Sequence, residues 1–163
     1  MTEDKPRFID NNNGTITDNL TGLMWAKEDS WQMENRWLSW DEAREFTRNM
    51  AYQKLSGYND WRLPEKEEML TLIDPDHCIQ DKYGKDMKMN PVFPNGPLAT
   101  AWTADGIGSD GYIVNFTLGK ADTLYKSKSG RMAVRAVRGT PMSERPSQRW
   151  PFSDTILFEF TSS

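Results

Sequence analysis

The chain of 163 residues contains one histidine and one cysteine, and this small supply limits the chemistry that it can perform. The two residues, His77 and Cys78, are adjacent in the segment DPDHC. A structural zinc site needs several Cys and His ligands. An acyl-transfer triad would need His77 as its base, together with a nucleophile elbow that the sequence lacks. We therefore expect a surface histidine beside a half-buried cysteine, no catalytic residues and no enzymatic activity.

The segment from Asp10 to Asp18 contains oxygen-bearing side chains at a spacing that superficially suits calcium. Asp10, Asn12 and Asp18 could supply oxygens, with Gly14 between them. An EF-hand loop, however, has its glycine one position later and a glutamate at its last position, where this chain has Thr21. The asparagine- and glycine-rich sequence is typical of a β-hairpin turn. We therefore expect no bound metal and no cofactor.

Tryptophans and basic side chains are the remaining residues that could bind a ligand. Trp25, Trp61 and Trp102 lie in apolar contexts and are expected in the core. Three others lie among polar residues, namely Trp31, Trp37 and Trp150. Exposed tryptophans stack on sugar rings or anchor protein interfaces. A basic stretch consists of Lys126, Lys128, Arg131, Arg135 and Arg138. These charges could protect a sheet edge, or form a docking face for an acidic partner or a polyanionic glycan.

Turn residues and apolar periodicity predict one hairpin and two helices in the first half of the chain. The hairpin covers residues 8–17. The first helix starts at Ser39, whose capping box with Glu42 precedes an apolar stripe. That stripe consists of Ala43, Phe46 and Met50. The second helix follows Gly57, with Pro64 in its first turn.

The rest of the chain is predicted to form loops and strands. Polar residues predict a loop over residues 27–38, and Pro and Gly predict a long surface loop over residues 74–97. Four late strands are predicted over residues 98–104, 112–116, 121–125 and 132–137. The Gly, Asp and Ser turns between them favour an antiparallel meander, and hence an α+β domain.

Three phrases of the sequence together resemble the Lcl C-terminal domain family, which belongs to the C-type-lectin-like superfamily. They are RFIDNNNGTITDNLTGLMW at residues 7–25, GYNDWRLP at residues 57–64 and VRAVRG at residues 134–139. The resemblance implies a C-type-lectin-like fold, with two helices packed on a twisted antiparallel sheet and a long irregular loop. In that fold such a loop is often the binding surface.

The superfamily also includes enzymes, and the residues that those enzymes require can be compared with this sequence. Formylglycine-generating enzymes of the superfamily use a pair of cysteines, and ergothioneine-type sulfoxide synthases bind iron through several histidines. With one Cys and one His, this chain has neither the cysteine pair nor the several histidines that these enzymes need. Asn59-Asp60-Trp61 is similar, in changed order, to a calcium-ligating phrase of classical C-type lectins, but their sugar-reading tripeptide is absent. We expect Trp61 in the core, Arg62 as a buried or capping cation, and a turn at Asn59 and Asp60.

Residues 1–140 are predicted to form the lectin-like domain, followed by a proline- and arginine-bearing linker and an apolar strand within residues 141–163. The tail residues that we expect to bind a partner are Trp150, Phe152, Ile156, Leu157, Phe158 and Phe160. An apolar terminal strand is an aggregation hazard when it is free. It must therefore pack on its own domain or insert into a neighbour as an added strand.

The sequence thus predicts a non-catalytic binding module, most simply a protein-interaction or accessory subunit that binds a protein partner or a second copy through its tail. The alternative is a glycan- or polyanion-binding module, as the adhesin in this family suggests, using Trp31, Trp37 and the basic stretch. A net charge of −4 argues against nucleic-acid binding. The sequence shows no signal segment or membrane-length apolar run. With a single Cys, this predicts a cytoplasmic bacterial protein, with export alongside another protein left open.

Overall fold

Ten strands and three α-helices form within residues 5–146, the part of the chain that the computed structural model describes. The helices are α1 (Ser30–Glu34), α2 (Trp40–Tyr52) and α3 (Lys66–Leu70). Short 3₁₀ turns lie at Leu55–Gly57 and Met142–Glu144. The strands are β1 (Phe8–Asp10), β2 (Thr15–Asp18), β3 (Met24–Ala26), β4 (Ile79–Gln80), β5 (Asp86–Met87), β6 (Thr100–Ile107), β7 (Asp110–Asn115), β8 (Lys120–Tyr125), β9 (Met132–Ala133) and β10 (Val137–Arg138). None of the helices in these residues is long and apolar enough to cross a membrane.

The first sheet joins the two ends of the described chain. Its strand order is β1-β2-β3-β10, with antiparallel neighbours throughout. The predicted hairpin is confirmed, since β1 pairs with β2 and Asp10 lies opposite Ile16. Asn12 and Gly14 take positive φ angles of 60° and 89° in its turn. The asparagine- and glycine-rich sequence supplies residues that tolerate this conformation.

The second large sheet has the order β8-β7-β6-β9, and β4 pairs with β5 in a separate hairpin. The predicted strands at residues 98–104, 112–116 and 121–125 are confirmed as the antiparallel set β6, β7 and β8. The antiparallel meander is wrong beyond that point. β9 runs parallel to β6, and β10 leaves to pair with β3. The parallel β9 makes this sheet mixed, and the predicted strand at residues 132–137 divides between the two large sheets.

Two adjoining apolar clusters make the core. One joins α3 and the long loop to residues of both large sheets, around Trp25 and Met69. The other packs α2 against the second sheet, around Trp61 and Trp102. The placement of Trp25, Trp61 and Trp102 in the core is confirmed. The predicted stripe of α2 is also confirmed, since its three residues are buried.

The capping signals were partly correct. Ser39 is the N-cap of α2 and forms the predicted capping box with Glu42. Pro64, however, precedes the N-cap of α3, which is Glu65, because a box between Glu65 and Glu68 fixes the start of that helix. Residues 5–146 also contain three α-helices rather than two. The predicted loop at residues 27–38 contains α1, whose box joins Asp29 and Gln32.

Glu68 joins three parts of the fold from a fully buried position, with 0% of its surface exposed. Its two carboxylate oxygens accept hydrogen bonds from both terminal nitrogens of Arg62, each at 2.9 Å. They also accept the backbone N–H groups of Glu65 at 2.8 Å and Met142 at 3.0 Å. Arg62 is thus a paired, largely buried cation, as expected. The pair fastens α3 to the segment that follows β10.

Candidate functional site

A tight turn between β4 and β5 presents the central residues of the site. The Asp81 carboxylate accepts the backbone N–H groups of Tyr83 at 2.8 Å and Lys85 at 2.9 Å. The Lys82 N–H donates to the Pro97 carbonyl at 2.8 Å. These bonds hold the backbone of the turn, so that Lys82, Tyr83 and Lys85 are exposed. The long loop expected from the sequence therefore contains an ordered hairpin.

Helix α1 is attached to the same loop through its N-cap. One Asp29 oxygen accepts the Gln32 N–H at 2.9 Å, and the other accepts the Leu98 N–H at 2.8 Å. The Gln32 amide donates to the Asn95 carbonyl at 3.1 Å. These contacts fix Trp31, the second residue of α1, beside the loop.

Arg135 lies behind this helix in the core. It is 2% exposed, and its guanidinium donates to the carbonyls of Ala26 at 3.1 Å and Lys27 at 2.5 Å. Burial raises the pKa of Asp29, and the charge of Arg135 opposes that rise. Burial likewise lowers the pKa of Arg135, against the charges of Asp29 and Glu28. The sequence interpretation placed Arg135 among ligand-binding cations. This is corrected, because its guanidinium is enclosed and donates to two backbone carbonyls.

Cations and aromatic rings alternate across the exposed face. The Lys82 ammonium lies 5.0 Å from the centre of the Trp31 ring and 5.8 Å from that of Tyr83. The Arg131 guanidinium lies 5.0 Å from the centre of the Tyr83 ring. Tyr83 is 46% exposed. We call this group the Tyr83 surface, defined by Trp31, Lys82, Tyr83, Lys85, Asn115 and Arg131.

An open cavity of about 480 Å³ adjoins the Tyr83 surface, and its lining also includes Asp81 and apolar residues. Tyr83, Lys85, Asn115 and Arg131 all line it. Among the described residues, no ion pair involves Lys82, Lys85 or Arg131. The Asn115 oxygen accepts the Thr117 and Leu118 N–H groups, which leaves its amide nitrogen to donate elsewhere. The cavity therefore suits a ligand that brings hydrogen-bond acceptors or negative charge.

The structure brings only part of the predicted ligand set to this surface. Trp31 and Arg131 belong to it. Trp37 is 44% exposed. Its neighbour Leu38 donates its backbone N–H to the Met132 carbonyl at 2.9 Å, so the backbone at Trp37 lies close to the residue that follows Arg131. Lys128 is exposed on the turn after β8.

Two predicted cations make other contacts. Lys126 lies over the ring of Trp40, 4.2 Å from its centre. Arg138 pairs with Asp60 at 2.6 Å and lies 4.0 Å from the centre of the Tyr58 ring. The predicted tail residues lie outside the described residues; they are Trp150, Phe152, Ile156, Leu157, Phe158 and Phe160.

Sequence reasoning missed Lys82, Tyr83, Lys85 and Asn115. A signal for three of them was present, because KYGK at residues 82–85 places an aromatic residue between cations in a turn. Asn115 gave no such signal. It ends β7, and only the pairing of the strands brings it to the loop.

The residues first considered for metal or thiol chemistry are placed apart from this surface. Within residues 5–146, no group of three or more His, Cys, Asp or Glu side chains could hold a metal ion. Asp10 pairs with Lys27 at 2.7 Å, and this hydrogen bond lowers the pKa of Asp10. The prediction of a half-buried Cys78 is wrong, since Cys78 is exposed. His77 contacts Asp74 at 3.0 Å.

The described chain is thus an α+β domain of two larger sheets, with a cationic and aromatic surface on the loop between its helices and its late strands. The model of the Lcl C-terminal domain family matches residues 14–138. The chain belongs to this family. A comparison with curated proteins gives no significant match.

Proposed function

We propose that this domain is a non-catalytic binding module that recognises anionic glycans or similar polyanions at the Tyr83 surface. One observation supports this most directly. A partly exposed tyrosine ring lies between a lysine and an arginine that form no ion pair with any described residue. Sugar rings stack on exposed aromatic faces, and sulfate or carboxylate groups pair with adjacent cations.

The fold placement implied by the resemblance is part of the same proposal. We assign the domain to the C-type-lectin-like superfamily on the basis of its α+β architecture and the long segment at residues 74–97. That segment presents Lys82, Tyr83 and Lys85, which agrees with the binding role that this loop often has in the superfamily.

The test is a paired substitution of the cations that line the cavity. Lys85→Gln with Arg131→Gln is expected to weaken binding of dextran sulfate about tenfold, since two exposed ionic contacts at roughly 0.5–1 kcal/mol each give about that change in Kd. Binding of the wild-type chain should also fall between low and physiological salt. Isothermal titration calorimetry measures both effects. Tyr83→Ala should weaken binding without changing the salt dependence.

The matched control removes two exposed lysines elsewhere, as Lys5→Gln with Lys54→Gln, and should bind as the wild type does. Neutral dextran is the second control. Equal binding of dextran and dextran sulfate would contradict the proposal. So would an unchanged Kd for the Lys85→Gln, Arg131→Gln variant.

A second proposal concerns the tail, and the placement of the last described residues favours it. The N–H groups of Met142 and Ser143 donate to Glu68 and Glu65, each at 3.0 Å. The Ser143 hydroxyl also bonds to Glu65. The chain after residue 146 therefore continues from a fixed point beside α3. We propose that the apolar tail segment then binds a protein partner or a second copy of the chain, which would make this an accessory subunit.

Substitutions within the full-length chain test this second proposal. Ile156→Lys with Phe158→Lys should convert a self-associated species to a monomer, or release a co-purifying partner, because buried lysines oppose strand addition. Light scattering after size exclusion and affinity purification provide the two readouts. Thr161→Lys with Ser163→Lys adds the same charge as a control. A wild-type chain that is monomeric and without a partner would refute the proposal.

A further inference from the structure

A second cluster of cations and aromatic rings lies on α2, and the proposed function does not use it. Trp40, Arg44 and Arg48 are spaced by four residues and so share one face of the helix. The Trp40 indole N–H donates to the Thr103 carbonyl at 2.9 Å, which fixes the ring. The ring in turn supports two cations, with Arg44 at 5.0 Å and Lys126 at 4.2 Å from its centre.

An open cavity of about 500 Å³ lies beside this helix face. We call it the Trp40 pocket; its lining includes Trp40, Arg44, Arg48, Trp61, Arg62 and Leu63. No acidic side chain lines it. Trp61 and Leu63 contribute little surface to it, because they are almost entirely buried. The pocket thus combines guanidinium groups with the Trp40 ring.

The charges of these cations are unequally compensated. Arg62 is committed to Glu68 through two hydrogen bonds. Arg48 has only a loose contact with Glu45, at 3.9 Å between two well-exposed side chains. Arg44 and Lys126 belong to no ion pair among the described residues. Positive charge at the pocket is therefore available to a ligand.

We infer that the Trp40 pocket docks an acidic peptide segment of a partner protein. Arg44 and Arg48 lie on successive turns, so each guanidinium can donate two parallel hydrogen bonds to one carboxylate. The helix face from residue 40 to 48 is about 12 Å long, which matches about four residues of an extended peptide. A single small anion would span only part of that length.

This inference does not depend on the Tyr83 surface, and one experiment separates the two sites. The full-length ¹⁵N-labelled chain is titrated with blocked hexaglutamate and followed by NMR. The expected result is a shift of the Trp40 indole N–H and of the Arg44 and Arg48 amides. Arg44→Gln with Arg48→Gln should weaken binding about tenfold. The Lys85→Gln, Arg131→Gln variant should keep the hexaglutamate-induced shifts at Trp40, Arg44 and Arg48, and hexaglutamine should give no shift.

Several results would overturn the inference. One is the absence of shifts near Trp40 at low salt. Another is an equal Kd for the Arg44→Gln, Arg48→Gln variant, whose own spectrum reports whether it is folded. Inorganic phosphate that gives the same shifts at matched ionic strength would make the pocket a small-oxyanion site instead. Loss of binding only in the Lys85→Gln, Arg131→Gln variant would assign the acidic ligand to the Tyr83 surface.

Discussion

Glu68→Gln is expected to lower the free energy of unfolding by about 3–5 kcal/mol, the range found when one partner of a buried ion pair is removed. The glutamate is fully buried and accepts two bonds from Arg62 and two from backbone N–H groups. An amide has only one acceptor oxygen, so its NH₂ group would face a donor. The charge of Arg62 would also lose its compensation. Urea denaturation followed by tryptophan fluorescence measures the change.

The neighbouring Glu67 provides the matched control for this substitution. Its side chain is exposed, and its contact with Lys66 is long, at 3.8 Å. Glu67→Gln removes the same charge from the same helix and should change stability by less than about 0.5 kcal/mol. If the two variants unfolded at the same urea concentration, the buried network would not have the stabilising role assigned to it here.

Trp102→Ala is expected to destabilise the fold by about 3–5 kcal/mol, as large-to-small changes at buried aromatic positions do. Trp102 is 0% exposed, and its indole N–H donates to the Leu38 carbonyl at 2.8 Å. Its ring also packs against Gly111, where an added Cβ would lie 2.8 Å from the ring. The substitution therefore creates a cavity and leaves a buried carbonyl without its donor. Thermal and urea unfolding both report the loss.

Trp37→Ala removes the same side chain from an exposed position and serves as the comparison. Trp37 is 44% exposed, so its removal should cost less than about 1 kcal/mol. A loss at Trp37 as large as that at Trp102 would contradict the assignment of Trp102 to the core.

Local signals predicted the parts of the fold that depend on neighbours in the sequence. The capping box of Ser39 and the stripe on α2 are set within one helix, so their prediction succeeded. The short helix α1 was missed although its capping box of Asp29 and Gln32 is local, because five residues are too few to show an apolar stripe. Periodicity shows that residues 132–137 are apolar and extended. It does not show which strand they pair with or in which direction.

The same limit applies to the Tyr83 surface. Trp31 and Arg131 were singled out from the sequence, but they lie far apart in the chain. Lys82 and Tyr83 join them through side-chain contacts that only the folded loop creates. Arg135 shows the reverse case. It lies in the same basic stretch as Arg131, yet the divergence of β9 and β10 turns it into the core.

The pairing of β10 with β3 has a consequence for the order of folding. Val137 lies opposite Trp25, so a strand near the start of the described chain is completed by one near its end. Contacts of such large sequence separation slow folding, because a long loop must close before they form. During synthesis, one edge of β3 therefore stays unpaired until residues 137 and 138 have been added to the chain and can pair with it. Folding of this domain should therefore be completed only after residue 138 has left the ribosome, and chains interrupted before β10 should be prone to aggregation.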